Sequence, residues 1–117
     1  MTPIIEIRHY QSAEGEQPFT QWLQDLLDQQ ARARIRIRLD RLALGNFGDC
    51  EPVGGGVIEL RIDWGPGYRV YCARLGQVVI LLLCGGDKRT QKKDIERAKD
   101  YFEDYKARAT QKPRRRT

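Results

Sequence analysis

The residues best suited to chemistry in this chain are cations near the turns of a predicted sheet. Arg61 and Arg69 flank the turn Gly65-Pro66-Gly67, and Lys88 and Arg89 follow an apolar run that ends in two glycines. An arginine guanidinium binds phosphate through two parallel hydrogen bonds, whereas lysine supplies a mobile point charge. Such groups can bind a phosphodiester, stabilise the charge that develops on it and protonate a leaving oxygen. The cations therefore predict a phosphate site suited to RNA cleavage.

A general base is the missing part of this predicted site. Attack of a 2′-hydroxyl on the adjacent phosphorus requires a proton acceptor as well as alignment. The chain has one histidine, His9, which lies far from the arginines in sequence and is best interpreted as a structural residue on a strand face. Three cysteines show no metal-ligand spacing, so the sequence predicts reduced thiols, no metal site and no cofactor. These are Cys50, Cys72 and Cys84.

Three successive strands are predicted to position the cations, at residues 57–63, 68–74 and 77–84. The first two alternate in side-chain character, and the third is a continuous apolar run typical of a central strand. The pair Gly85-Gly86 is expected to bend the backbone at the end of the third strand. That bend would deliver Lys88 and Arg89 to the rim of the sheet.

The length of the first hairpin loop decides whether the two arginines share a face. If residues 65–67 form a three-residue loop, Arg61 lies opposite Tyr71, and both arginines project from one face. A two-residue loop would separate them. We expect the odd-length loop, with Tyr71 among the residues that contact RNA.

The N-terminal half predicts a strand and two helices. Residues 4–10 begin with β-branched side chains and form the strand. Pro18 suits the first turn of a helix, and an apolar stripe at helical spacing follows. Its members are Phe19, Trp22, Leu23, Leu26 and Leu27.

The arginine-rich segment 31–45 is ambiguous in sequence. Its alternation of apolar and arginine residues has the period of a strand, yet Ala and Arg are good helix formers. We predict a second helix, antiparallel to the first, in which Arg32 and Arg36 are candidate RNA contacts. Residues 46–56 are predicted to form a loop, and a last helix is predicted from Thr90 through Tyr105 or beyond.

Charge is segregated along the chain rather than spread evenly. The formal net charge is +5, but the last twelve residues hold six cations and no acid, so the remaining 105 residues carry −1. Overall basicity is therefore a poor argument for nucleic-acid binding. We predict a single domain at residues 1–106, followed by a basic, disordered tail at 107–117. The longest apolar run has seven residues, far short of a membrane span, and a cytoplasmic protein is expected.

Three motifs together resemble a known family. ELRID, GYRVYCAR and the apolar strand leading into LLLCGGDKRTQKKDI are similar to the small toxins of bacterial toxin–antitoxin modules. The group concerned is the RelE/ParE superfamily, in particular its HigB-like "addiction module killer protein" branch. The resemblance covers nearly the whole chain. It implies a small α+β, microbial-ribonuclease-like fold, with an N-terminal strand, a helical hairpin, a three-stranded antiparallel meander joining the same sheet, and a C-terminal helix.

The resemblance also implies an activity and partners. Its best-known members cut mRNA in the ribosomal A site, and a helix-turn-helix antitoxin neutralises them and mediates binding to operator DNA. Arg69 matches the arginine that stabilises the transition-state phosphate, and Arg61 matches a neighbouring cation. Lys88 and Arg89 match the basic pair after the last strand, where a proton donor is expected.

The chain departs from the family pattern at three positions. Val57 and Glu59 stand where many ribonuclease members carry lysines, and Ile95 lies near the place of an expected tyrosine. Two alternatives therefore stay open beside mRNA cleavage. One is inhibition of DNA gyrase, as in ParE-like members, and the other is a non-toxic role as corepressor with the antitoxin.

Overall fold

Five strands lie side by side in the order β1-β5-β4-β3-β2, and helices cover both faces of the sheet. The computed structural model describes residues 4–110. Its elements are β1 (Glu6–His9), α1 (Pro18–Asp25), α2 (Gln29–Ala43), β2 (Cys50–Gly54), β3 (Val57–Ile62), β4 (Tyr68–Leu75), β5 (Val79–Asp87) and α3 (Gln91–Thr110). The predicted α+β class and the order strand, two helices, sheet and last helix are confirmed. No helix within residues 4–110 is long and apolar enough to cross a bilayer.

The antiparallel meander has four strands rather than the predicted three. The segment 46–56, expected to be a loop, contains β2, which pairs with β3. Pro52 removes one backbone donor from β2, and a proline in a sheet is tolerated mainly on an edge strand. β2 occupies one edge of the sheet, and β1 occupies the other and runs parallel to β5.

The β3–β4 hairpin has an odd-length loop, but the loop is longer than predicted. Ile62 pairs with Tyr68 and Arg61 pairs with Arg69, so five residues, 63–67, connect the strands. The pairing of Arg61 with Tyr71 was therefore wrong by two residues. An odd loop of either length keeps both arginines on one face, and the shared face is confirmed.

Two apolar layers fix the helices against the sheet. α1 and α2 cover one face, where Phe19, Ile35 and Leu42 are buried among β-strand side chains. α3 covers the other face through Ala98 and Phe102. The helical interpretation of the arginine-rich segment is confirmed. The apolar stripe of α1 is shorter than predicted, because the helix ends at Asp25 and leaves Leu27 exposed.

The pair Gly85-Gly86 continues β5 instead of bending it. A Cβ at Gly85 would lie closer than 3.0 Å to three atoms of the Trp22 ring, and one at Gly86 would collide with the Asp94 carboxylate. The glycines are thus needed for close packing on both faces, and the predicted bend was wrong. The chain turns only after Asp87, which accepts a hydrogen bond from the backbone N–H of Arg89 at 2.8 Å.

The last helix continues past Tyr105, in agreement with the prediction that it ends at Tyr105 or beyond. It begins at Gln91, after a 3₁₀ turn at Lys88–Thr90, and continues to Thr110. Residues 107–110, assigned in sequence to the basic tail, are therefore helical. The remainder of that predicted tail, residues 111–117, lies outside the described residues.

Candidate functional site

Arg61, Arg69 and Lys88 line one open cleft of about 470 Å³. The cleft lies where the β3–β4 hairpin loop meets the end of β5, and Asp49 and Asp63 complete its wall. The backbone N–H of Lys88 donates to the carbonyl of Gly67 at 2.9 Å, which ties the loop to the end of β5. The fold thus brings together the three cations that the sequence singled out for catalysis.

Arg69 is held rigidly at the floor of this cleft. Only 12% of its side chain is exposed. Its Nη1 donates to the carbonyl oxygens of Gly67 and Tyr68 at 3.0 and 3.2 Å, and its Nε lies 3.8 Å from Oε1 of Glu59. Within residues 4–110, Nη2 of Arg69 has no hydrogen-bond partner, so it remains available to an incoming oxygen.

Arg61 is surrounded by carboxylates. It pairs with Glu51, its Nε donates to Oε1 of Glu59 at 3.1 Å, and its Nη1 lies 4.0 Å from Asp49. About a third of its side chain is exposed. A phosphate that binds Arg61 must therefore compete with these acids, and Arg61 is a weaker anion ligand than its type suggests.

Glu59 is the buried centre of the site, and the sequence pattern did not predict this role. Its carboxylate is fully buried and accepts hydrogen bonds from Tyr71 at 3.0 Å and Gln91 at 2.8 Å, in addition to that from Arg61. A buried carboxylate is stable only with such partners. Gln91 begins α3, so Glu59 also links the helix to the floor of the cleft.

Tyr71 lies beneath the cleft and does not line it. The residue was expected to contact RNA, but it is fully buried. Burial and the neighbouring Glu59 raise the pKa of Tyr71, so the phenol remains a protonated donor to that carboxylate. Tyr71 therefore helps to hold the Glu59 carboxylate in place. Because it is buried, it does not contact a ligand in the cleft.

The side chains of Lys88 and Arg89 line different grooves, although the two residues are adjacent in sequence. The side chain of Lys88 is exposed beside the cleft and makes no ion pair within the described residues. Arg89 pairs with Asp87 at 2.9 Å and lines a different groove with Thr90, Lys92 and Lys93. Among the described residues, Lys88 is therefore an exposed cation of the site without an ion pair, and Arg89 lies outside the site.

The arginines of α2 divide between two sides of the helix. Arg32 and Arg36, the predicted RNA contacts, line neither of the two clefts described here that contain Arg61. A second cleft of about 370 Å³ instead contains Arg34, Arg38 and Arg41 together with Arg61. The buried residues Ala31, Ile35 and Leu42 fix this rotation of the helix.

Arg38 has a structural role in that second cleft. It donates hydrogen bonds to the carbonyl oxygens of Arg61, Phe47 and Asp49 at 2.5, 2.8 and 2.6 Å. These bonds fasten the segment before β2 to the end of β3. Because three carbonyls occupy its guanidinium, Arg38 is not free to bind a ligand.

His9 and the cysteines lie away from this chemistry. Nδ1 of His9 is 2.9 Å from the Thr20 hydroxyl on α1, and burial lowers the pKa of the imidazole. Burial raises the pKa of the thiols of Cys72 and Cys84 to about 12, so neither is a nucleophile at neutral pH. Among residues 4–110, no three His, Cys, Asp or Glu side chains are grouped to hold a metal ion.

The cleft residues lie within the part of the chain that is similar to known proteins. A family model described as "Phage derived protein Gp49-like (DUF891)" matches residues 21–103. A protein of Haemophilus influenzae (strain ATCC 51907 / DSM 11121 / KW20 / Rd), named "Uncharacterized protein", is 53% identical to this chain over 81 residues. Those residues are 69% of this chain and 82% of the relative. The family match contains both clefts and every site residue predicted from sequence.

Proposed function

Because the chain belongs to the Gp49-like family of phage-derived proteins, a toxin–antitoxin-associated family of RelE-like toxins, we propose that it is the toxin of a type II module and cuts mRNA on the ribosome. The finer placement in the HigB-like branch is part of this proposal. The observation that carries it is the cleft in which Arg61, Arg69 and Lys88 meet.

The proposed reaction gives the buried Arg69 and the exposed Lys88 different roles. A rigid Arg69 presents its free donors where charge develops on the phosphate, and such preorganised donors are worth most in a transition state. The 2′-oxygen attacks phosphorus, the bond to the 5′-oxygen breaks, and Lys88 protonates that oxygen. Asp63 is the proposed acceptor of the 2′-hydroxyl proton, since it is exposed in the cleft and makes no ion pair within residues 4–110. The product is a 2′,3′-cyclic phosphate.

The family also supports the proposed partners. An antitoxin, which we expect to contain a helix-turn-helix domain, would neutralise the toxin and carry it to operator DNA. The ribosome and its mRNA are the proposed targets, and the cytoplasm is the proposed location.

The test compares Arg69→Ala with wild type and with a matched control. Arg8→Ala removes an exposed arginine that pairs with Glu6 on β1, across the sheet from the cleft. Expression of wild type without antitoxin should stop growth and translation and produce mapped mRNA cuts. Arg8→Ala should behave like wild type, whereas Arg69→Ala should lower the cutting rate by about 10²–10³-fold. Circular dichroism of both variants checks that they fold.

The same experiment separates the alternatives. Normal cutting by Arg69→Ala contradicts the assignment of the site. A DNA-damage response with intact mRNA indicates gyrase inhibition. Harmless expression together with operator binding in the presence of antitoxin indicates the corepressor role.

A further inference from the structure

We propose that Arg34 and Arg41 of α2 form a second phosphate subsite, which binds a single-stranded RNA next to the phosphate that is cut. This inference rests on the proposed function, because it deepens the description of the same site. It adds two residues that neither the family match nor the sequence motifs single out. The ligand class is a phosphodiester of single-stranded RNA that flanks the reacting one.

The two clefts are one continuous surface. The first, with Arg69 and Lys88, and the second, with Arg34 and Arg41, share three wall residues: Asp49, Arg61 and Asp63. A strand that leaves the first cleft past Arg61 therefore enters the second.

The charges around the first cleft do not favour binding of a polyanion such as RNA. Its three cations, Arg61, Arg69 and Lys88, are outnumbered by the acids that line the cleft or pair with them. These acids are Asp49, Glu51, Glu59 and Asp63. Binding of RNA is driven mainly by neutralisation of phosphates. The net attraction must therefore come from cations just outside the first cleft, and α2 supplies them.

Arg34 and Arg41 are free to take that role. Both are exposed, and neither makes an ion pair or a side-chain hydrogen bond within residues 4–110. The guanidinium of Arg34 lies 3.9 Å from the centre of the Trp64 ring. This cation–π contact orients the guanidinium and leaves its N–H edges open to a phosphate.

The spacing of the two arginines suits an extended strand. They are seven residues apart on α2, which corresponds to about 10.5 Å along the helix axis. Ile37 lies between them in the same cleft and is 50% exposed. An exposed apolar side chain between two phosphate ligands offers a surface on which a ribose or base can pack.

The test measures binding rather than cleavage. A fluorescent, 2′-O-methylated single-stranded oligonucleotide of ten residues cannot be cut, and its anisotropy reports the dissociation constant of the full chain across 50–200 mM salt. The variant is Arg34→Gln/Arg41→Gln. The control is Arg32→Gln/Arg36→Gln, which removes the same charge from the other side of the same helix. Glutamine has nearly the helix propensity of arginine, so both double variants should fold.

Loss of the subsite should weaken the salt dependence of binding. Each phosphate contact with a single strand contributes about 0.7 to the slope of log affinity against log salt. The slope should fall by about 0.7 if the arginines share one phosphate, and by about 1.4 if each binds its own. The control pair should keep the wild-type slope. Three results would each contradict the subsite. The first is an equal fall of the slope in the two double variants, and the second is an unchanged slope in Arg34→Gln/Arg41→Gln. The third is no binding of the oligonucleotide by wild type at 50 mM salt.

Failure of the proposed function gives a different pattern. If the wild type binds the oligonucleotide through Arg34 and Arg41 but produces no mRNA cuts in cells, the subsite stands and the nuclease activity does not. If mRNA cuts depend on Arg69 while Arg34→Gln/Arg41→Gln binds the oligonucleotide like wild type, the nuclease activity stands and the subsite does not.

Discussion

Replacement of Gly85 by alanine tests the close packing between β5 and α1. Gly85 has no positive φ, so alanine itself is compatible with its backbone. At such a position, glycine to alanine ordinarily stabilises a protein by about 0.4–1 kcal/mol. Here the added methyl would collide with the Trp22 ring, and overpacking of a core costs about 1–3 kcal/mol. The Trp22 ring is large and cannot move away from the new methyl without disturbing its other contacts. We therefore expect Gly85→Ala to lower the free energy of unfolding.

The expected loss corresponds to a clear shift in a thermal melt. For the 117 residues of this chain, an unfolding entropy of about 2.1 cal/mol/K per residue means that each kcal/mol moves Tm by about 4 °C. After the gain of about 0.4–1 kcal/mol is subtracted from the overpacking cost, the net loss is at most about 2.6 kcal/mol. We therefore expect Tm of Gly85→Ala to fall by roughly 2–10 °C when unfolding is followed by circular dichroism.

A double-mutant cycle assigns this loss to Trp22. Trp22→Leu keeps an apolar side chain but removes the ring that meets the new methyl. In that background, Gly85→Ala should cost less by about 1–3 kcal/mol. An unchanged or raised Tm in the single variant would refute the reasoning, as would an equal cost in both backgrounds.

Two further predictions concern stability. Arg38→Ala removes hydrogen bonds to three carbonyls and should lower the free energy of unfolding in urea by about 3 kcal/mol. Replacement of the exposed Arg36 by alanine should change that free energy by less than about 0.5 kcal/mol. Equal effects of the two replacements would contradict the structural role of Arg38. Burial and the hydrogen bond to Asp104 raise the pKa of Tyr10 to about 12. Its contribution to stability is therefore complete below pH 10 and lost as pH rises toward 12. Stability of Tyr10→Phe should fall less over pH 10–12 than that of wild type, and parallel curves would contradict this assignment.

Much of the fold was predictable because local patterns and tertiary packing agree. The stripe that begins at Phe19 identified α1, and the apolar run before Gly85 identified β5. β2 was missed because Pro52 and the glycines beside it are typical of loops, and only its edge position makes that proline acceptable. The Gly85-Gly86 pair was misjudged for a related reason. Glycine permits a bend, but it also permits close approach, and sequence does not show that Trp22 approaches.

The candidate site was predictable in its cations and not in its acids. Arg61, Arg69 and Lys88 follow from the strand pattern and the turn. Glu59 beside two arginines is indistinguishable in sequence from a surface ion pair, since its burial depends on α3. The arginines of α2 recur at nearly every second position, which on a helix places them on all sides. Only the packing of Ile35 and Leu42 selects Arg34 and Arg41.

The parallel pairing of β1 with β5 sets the order in which the sheet can be completed. Glu6 pairs with Val79, 73 positions further along the chain, and closing a flexible loop of that length costs roughly 4 kcal/mol in chain entropy. The hairpins of β2 to β5 close much shorter loops and can form first. β1, with four residues at the edge, then docks onto a sheet that already exists. The same strand is expected to open first in native-state hydrogen exchange, ahead of the strands that carry the site.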